Sequence, residues 1–411
     1  MDLAPERPDS DHFEMLWDAE GSSALSEVFD RIRPILEDIR RSAVAAEAAR
    51  TLPFEPIASL KTSGFTSARI PCRFGGLGLS LTDLFELVTA LAAADSNIAQ
   101  ALRAHFGYVE HLLFSRDEDY QARWMNRLGR GETAGAAAAE KGGERQQFRT
   151  TLTERNGTWL INGTKFFTTG SLYADWLTVT ATDADGETVK CIASRRDPGL
   201  EIVDDWDGFG QRLTASGTAH FSDVRAQDNE IRRGNADFPY SQAFFQLYHL
   251  ATAAGIAQAA LRAVAEAVRD RKRSFTHGNS DQPAQDPQVL ELVGKVSAAA
   301  YSATATVRQA ARALEAAAAS GETDRGPASI RAELQVWQAQ EIVFPMTLEA
   351  TTLLFDALGG TATLRPAALD RFWRNIRTIA CHNPRVFRTR IVGDFAVSQT
   401  PPPEQWRVGD V

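Results

Sequence analysis

Phe148-Arg149-Thr150-Thr151-Leu152-Thr153-Glu154-Arg155-Asn156-Gly157-Thr158-Trp159-Leu160-Ile161-Asn162-Gly163-Thr164-Lys165 is the stretch on which the fold turns. Residues 148–153 and 158–161 carry the Thr and bulky apolar side chains that suit a pleated surface. Asn156-Gly157 between them predicts a two-residue hairpin turn, because both residues tolerate the positive φ it needs. Residues 176–181 and 189–193 read as two more short strands joined across 183–186, and 218–221 as another that stops at a bend at Asp223. Short strands with Gly and Asn/Asp turns predict a small barrel or two packed sheets rather than a parallel sheet with crossover helices.

On either side the apolar period lengthens to that of a helix. Residues 22–50 place Leu25, Phe29, Ile32 and Leu36 on one stripe, with Pro34 expected to kink or divide it. Ser80 and Asp83 form a helix start ahead of Leu84, Leu87, Val88 and Leu91, the helix is expected to end near Asp95-Ser96-Asn97, and residues 98–114 resume the pattern. Beyond Tyr240, helices are predicted over 247–273, 289–319, 327–359 and 367–381, with an exposed loop at 276–287. The expected fold is mainly α with a central β-barrel domain, divided as 1–130 (helical), 131–235 (β) and 236–411 (helical bundle).

At 411 residues the chain exceeds the roughly 250–300 at which one core stops growing. Its 44% hydrophobic content, with 22 Phe and 8 Trp, excludes disorder of the whole chain. A net charge of -9 leaves no broad basic surface, so no nucleic-acid partner is expected, although Arg269, Arg271, Lys272 and Arg273 together could hold a single phosphate. Three cysteines, Cys72, Cys191 and Cys381, build neither a disulfide framework nor a zinc site, and no metal is expected. Residues 1–12 lack a signal-peptide pattern and the Ala-rich stretches are interrupted by charge or Gly. The expectation is a cytoplasmic protein with no membrane association. Dinucleotide-binding glycines, a phosphate loop, a His-Glu-x-x-His metal motif and a nucleophile elbow are all missing from the sequence.

Several motifs recur in a telling order: Arg73-Phe74-Gly75-Gly76-Leu77-Gly78-Leu79, Leu160-Ile161-Asn162-Gly163-Thr164-Lys165, the stretch 210–221, Ala357-Leu358-Gly359-Gly360 and Arg371-Phe372-Trp373-Arg374-Asn375. Together they resemble the acyl-CoA dehydrogenase superfamily over nearly the whole chain. Arg371 to Thr378 followed by His382-Asn383-Pro384, with Asp204-Asp205-Trp206, Gly210-Gln211-Arg212 and Ser216-Gly217, resembles the flavin-dependent monooxygenases of the dibenzothiophene monooxygenase and sulfur-acquisition type. That resemblance implies the oxygenase component of a two-component enzyme and a homotetramer. A separate flavin reductase would supply reduced FMN, which meets oxygen, forms a C4a-hydroperoxide and oxygenates a small sulfur-containing or aromatic substrate. An acyl-CoA dehydrogenase using FAD, an N- or C-hydroxylating oxygenase of natural-product synthesis, and a non-catalytic helical assembly protein stay open beside it.

The same resemblance distributes roles. Thr168, Thr169 and Ser171 would lie along the flavin ring, with Thr169 and Ser171 as hydrogen-bond donors; as bare sequence they equally suit plain strand packing. His382, which Pro384 places at or just past a helix end, and His105 would manage protonation, each otherwise a structural histidine. Trp206 would wall flavin and substrate or merely anchor a strand edge, and Tyr108 and Phe245 would join it around the substrate. Arg271 or Arg273 would reach the flavin phosphate across a subunit contact, or else complement a helix C-terminus. Thr133 falls in the flavin-binding stretch, but Thr133 and Ala134 stand where asparagines are expected, and Ile379 where a second histidine is. His220 and His249 read as structural. No carboxylate occurs in 378–384, where a dehydrogenase of this kind carries its base.

Overall fold

The computed structural model describes residues 21–141, 148–226, 228–233 and 237–404. The reading of residues 1–12 lies outside them. Six α-helices come first among the described residues: α1 (Ser23–Ala49), α2 (Phe54–Thr62), α3 (Leu81–Ala94), α4 (Ser96–Ala101), α5 (Arg103–Leu113) and α6 (Glu118–Gly129). Pro34 neither ends nor divides α1. It faces solvent, while Leu25, Val28, Ile32, Ile39 and Ala43 are buried along the other side, so packing of that stripe outweighs one missing backbone hydrogen bond. Ser80 and Asp83 form a reciprocal capping box on α3. Asp83 also accepts from the Ser22 hydroxyl at 3.0 Å, which ties the starts of α1 and α3 together.

Eight strands follow: β1 (Ala134–Ala137), β2 (Thr151–Arg155), β3 (Thr158–Lys165), β4 (Trp176–Thr182), β5 (Thr188–Ser194), β6 (Leu200–Val203), β7 (Thr218–Ala226) and β8 (Arg232–Arg233). They make one sheet in the order β6-β7-β3-β2-β4-β5-β8, with β1 parallel to β4. The sheet curls, bringing β5 against β7 around a core that includes Leu152, Ile161, Val179, Cys191, Phe221 and Val224. Asn156 (φ 53°) and Gly157 (φ 73°) make the tight β2–β3 turn. β7 does not stop at Asp223. That residue takes φ 51° and the strand runs on, held by paired bonds in which Asn162 Nδ2 donates to Asp223 Oδ1 and Asp223 N donates to Asn162 Oδ1, both at 2.9 Å.

The chain ends in helices α7 (Ser241–Asp270), α8 (Pro287–Ala318), α9 (Pro327–Leu358), α10 (Asp370–Ala380) and α11 (Arg385–Ser398). α7, α8 and α9 pack on one another, and α7 and α8 also on α3, around a core that includes Leu87, Tyr248, Leu261, Val307 and Trp337. Among the described residues no helix is long and apolar enough to cross a membrane, and no group of three His, Cys, Asp or Glu is placed to hold a metal ion.

The loop before β7 is clamped to both helical layers. Gln211 N donates to Asn375 Oδ1 at 2.7 Å, Gln211 Nε2 donates to Ser96 Oγ at 3.1 Å, and Arg374 Nη1 donates to the Phe209 carbonyl at 2.7 Å and to Glu47 at 2.9 Å. A Cβ on Gly210 would lie 2.1 Å from the Arg374 carbonyl oxygen, so only glycine permits this approach.

Candidate active site

The strand-rich side of the site begins where β3 ends. Lys165 is fully buried and its ammonium donates to Glu140 Oε1 at 2.6 Å and to the Ala138 carbonyl at 3.2 Å, which fixes the exit direction of the chain. Phe167 then takes φ 56° and turns its ring outward, 56% exposed, edge-on to Trp206 with centroids 5.9 Å apart. A left-handed backbone costs a bulky residue about 1 kcal/mol, and an apolar ring held in water adds no stability of its own. Local strain spent on an exposed aromatic wall is what a flat ligand needs.

The hydroxyls beyond it are already engaged. Thr168 Oγ1 donates to the Gly217 carbonyl at 3.0 Å, and Ser171 Oγ, fully buried, to the Ala136 carbonyl at 3.3 Å. Thr214 Oγ1 donates to the Gln211 carbonyl at 2.8 Å, so Ser216 must donate to Thr214 and Thr169 to Ser216, each at 2.7 Å. Thr169 thus turns lone pairs, not its proton, toward a ligand, and its backbone N–H has no protein acceptor among the described residues. Thr133 is spent on Asp175, which accepts from its N–H at 2.9 Å and from its hydroxyl at 3.3 Å.

Gly170 (φ 76°) presses this loop onto the end of α4, where a Cβ would lie 1.9 Å from the Ala101 carbonyl oxygen. Two residues on is Arg103. Its Nη2 lies 3.4 Å from His382 Nε2, and its guanidinium sits over the Phe245 ring at 5.2 Å. His382 follows the C-terminal end of α10, and its ring packs 4.4 Å from that of His249 on α7. Its Nδ1 donates to Asn383 Oδ1 at 2.8 Å, which leaves Nε2 as the acceptor for Arg103. Burial, then the Arg103 charge, lowers the His382 pKa to about 4 although the residue remains exposed to water, as on the wall of a recess. His249, read from sequence as structural, lies buried beneath that ring. It is 1% exposed, held through Nδ1 by Gln100 at 3.2 Å, and its Nε2 lacks a hydrogen-bond partner among the described residues.

His105 occupies a different position. It is 1% exposed, its Nε2 donates to the Thr66 carbonyl at 2.7 Å, and its Nδ1 accepts from Ala134 N at 3.3 Å, which stitches α5 to β1. Burial lowers its pKa to about 4. Tyr108 is buried in an apolar cluster with Trp124, its hydroxyl 3.0 Å from that of Tyr120. Arg271 donates to the Ala357 carbonyl at 3.4 Å and Arg273 is exposed, both beyond the far end of α7. At 1.5 Å per residue they lie roughly 40 Å along that helix from Phe245, too far to share one flavin with it inside a single subunit. The structure therefore gathers Thr169, Phe245 and His382 around the α4–α5 junction with Trp206 on the adjoining wall, and sets Arg271 and Arg273 apart.

Two helical layers around a curled sheet, with an aromatic ledge where they meet, define a class of flavoenzyme subunits. The chain belongs to the acyl-CoA dehydrogenase superfamily: residues 26–132, 134–224 and 247–385 match the N-terminal, middle and C-terminal domain models of acyl-CoA dehydrogenase. Among its relatives, a dibenzothiophene monooxygenase of Mycolicibacterium goodii is 26% identical over 84% of this chain and 87% of its own length. A probable FMNH2-dependent monooxygenase, SfnC, of Pseudomonas putida is 28% identical over 84% and 88%. The structure is similar to FMN-bound TdsC of Paenibacillus sp. A11-2 (TM-score 0.83, 27% identity, 92% of this chain and 98% of that one) and to methanesulfinate monooxygenase MsuC of Pseudomonas fluorescens (TM-score 0.83, 26%, 93% and 99%). Fold and likeness together support a flavin-binding enzyme.

Proposed function

We propose that this chain is the oxygenase component of a two-component monooxygenase that takes reduced FMN from a separate reductase and oxygenates a small sulfur-containing or aromatic substrate. The observation that carries this reading is the recess after α10. Where a dehydrogenase of this superfamily would carry a carboxylate, it presents His382, ordered by Asn383 and Arg103.

The residues fit a flavin. Phe167 and Trp206 offer an aromatic ledge, the Thr169 N–H is an open donor beside it, and the glycine contact at Gly170 joins both to the recess. Bound there, reduced flavin supplies the two electrons that activate oxygen. His382, neutral at pH 7 with Nδ1–H given to Asn383, has Nε2 as its one acceptor, which takes a long 3.4 Å bond from Arg103 and could instead accept from a protonated oxygen of a ligand. Phe245 and the Phe167–Trp206 pair set apolar ring surface beside His382, and a bound flavin would cover the exposed part of it. His105, with both nitrogens bound to backbone, positions α5 against β1. Arg271 and Arg273 of a second subunit would complete the phosphate end, which accounts for their distance and requires an oligomer such as a homotetramer. The domain division at about residues 130 and 235 and a cytoplasmic location belong to the same proposal.

The test is to load the chain with anaerobically reduced FMN, admit air in a stopped-flow spectrometer and follow the flavin spectrum. A transient species distinct from both reduced and oxidised FMN is expected. Its absence, together with bleaching of bound oxidised flavin by an acyl-CoA, would overturn the reading in favour of a dehydrogenase.

A further inference from the structure

Arg103 is a guanidinium without a counter-ion. No carboxylate of a described residue pairs with it. One N–H reaches His382 Nε2 at 3.4 Å, its guanidinium lies over Phe245 at 5.2 Å, and the rest of its five donors have no acceptor among the described residues. The groups around it do not neutralise it. His382 and His249 are neutral rings, tilted 46° to each other with centroids 4.4 Å apart, and the nearby Arg388 is a second cation, 2% exposed, whose Nη1 donates to the side-chain Oε1 atoms of Gln246 and Gln340 at 2.8 and 2.9 Å. Gln246 in turn donates to Asn383 Oδ1 at 3.1 Å, so the polar floor of the recess is built of donors and neutral amides. Other part-buried arginines of the chain are matched by carboxylates: Arg69 by Glu110 at 2.6 Å, Arg308 by Glu86 at 2.6 Å and Arg325 by Glu333 at 2.8 Å. Drawing a cation out of water is costly unless an anion or hydrogen bonds compensate; Arg388 has two amide oxygens for that, and Arg103 has a single ring nitrogen.

We propose that Arg103 is a specificity residue that grips an oxyanionic group of the substrate, a carboxylate or sulfinate, and holds it beside His382. This deepens the oxygenase reading and rests on it for the identity of the recess. The forked donors of a guanidinium match two oxygens on one carbon or sulfur, and the Phe245 face keeps the fork in one plane. The unpartnered His249 Nε2, buried behind His382, is an additional acceptor for a protonated form or a bound water.

The experiment is isothermal titration calorimetry on the full chain saturated with oxidised FMN, using benzoate and benzenesulfinate against their neutral counterparts benzamide and methyl phenyl sulfone. The anions are expected to bind at least about tenfold tighter than the neutral pair, and Arg103→Gln to remove that preference while Arg103→Lys keeps part of it. Equal binding of anions and neutral isosteres by the unaltered protein overturns the proposal, whatever the variants do. So does an Arg103→Gln variant that loses affinity for FMN but not for riboflavin, because the guanidinium would then serve the cofactor phosphate. The two readings separate cleanly: a flavin transient without anion preference sinks this inference alone, and Arg103-dependent anion binding without a flavin transient sinks only the oxygenase.

Discussion

His105 and Phe167 show how single residues trade stability for arrangement. His105 titrates near 4 in the folded chain, against 6.5 ordinarily, because burial disfavours its charged form. As pH falls below 6.5 the unfolded chain takes up a proton that the folded one refuses, so stability declines from there and the loss is complete below 4, amounting to about 3 kcal/mol for this group. Urea midpoints measured from pH 7 to pH 4 should fall, and His105→Asn should flatten that slope while lowering the pH 7 value. Phe167 runs the other way. Phe167→Gly relieves the left-handed backbone, so the melting temperature should hold or rise, while the loss of the ring should weaken FMN binding about tenfold in a fluorescence titration. A variant that bound FMN unchanged would remove Phe167 from the ledge. At this scale the sequence named Thr169, His382 and Phe245 through motif and resemblance. It missed Arg103, Gln246 and Arg388, because residues from three helices come together only after α5, α7 and α11 pack, and no local spacing records that.

Elements were legible wherever a period ran long enough to count. α1, α3, α7, α8 and α9 each carry an apolar stripe over several turns, and the Asn156-Gly157 hairpin states its own geometry. β1, Ala134-Gly135-Ala136-Ala137, has no strand propensity at all. It is a strand because it pairs in parallel with Trp176–Val179, and it is small because a Cβ on Gly135 would lie 2.5 Å from Ser171 Oγ. α11 was hidden by Pro384 ahead of it and by a face on which only Arg388 and Ile391 are buried. Glycines do the joining, and Gly170 is the decisive one. Gly170→Ala combines a positive φ with a clash against the Ala101 carbonyl, so it should cost about 3 kcal/mol and detach the Thr169 loop from α4. Denaturant unfolding and FMN titration should therefore both report the damage, whereas Gly157→Ala, at an open turn with nothing within 4 Å, should destabilise without altering FMN affinity.

Across the whole molecule, the distance between Phe245 and the Arg271–Arg273 pair turns the proposed flavin site into a statement about assembly. α7 carries Phe245 in its second turn and delivers Arg271 and Arg273 past its last, roughly 40 Å away along the helix axis. A flavin held by both needs those arginines from another copy of the chain. Doubly substituted Arg271→Ala, Arg273→Ala protein should assemble normally in sedimentation yet bind FMN at least about tenfold more weakly, with riboflavin affinity unchanged because only the phosphate contact is lost. The sharper measurement mixes two defective proteins. Subunits lacking Arg271 and Arg273 but keeping Phe167, dissociated and reassembled with Phe167→Gly subunits that keep both arginines, should recover a fraction of full-affinity sites, since some interfaces then pair an intact ledge with an intact arginine pair. If each defective protein alone binds weakly and the mixture shows no recovery, ledge and arginines belong to one subunit's site or to none, and the shared-site reading fails even if the chain proves to be an oligomer.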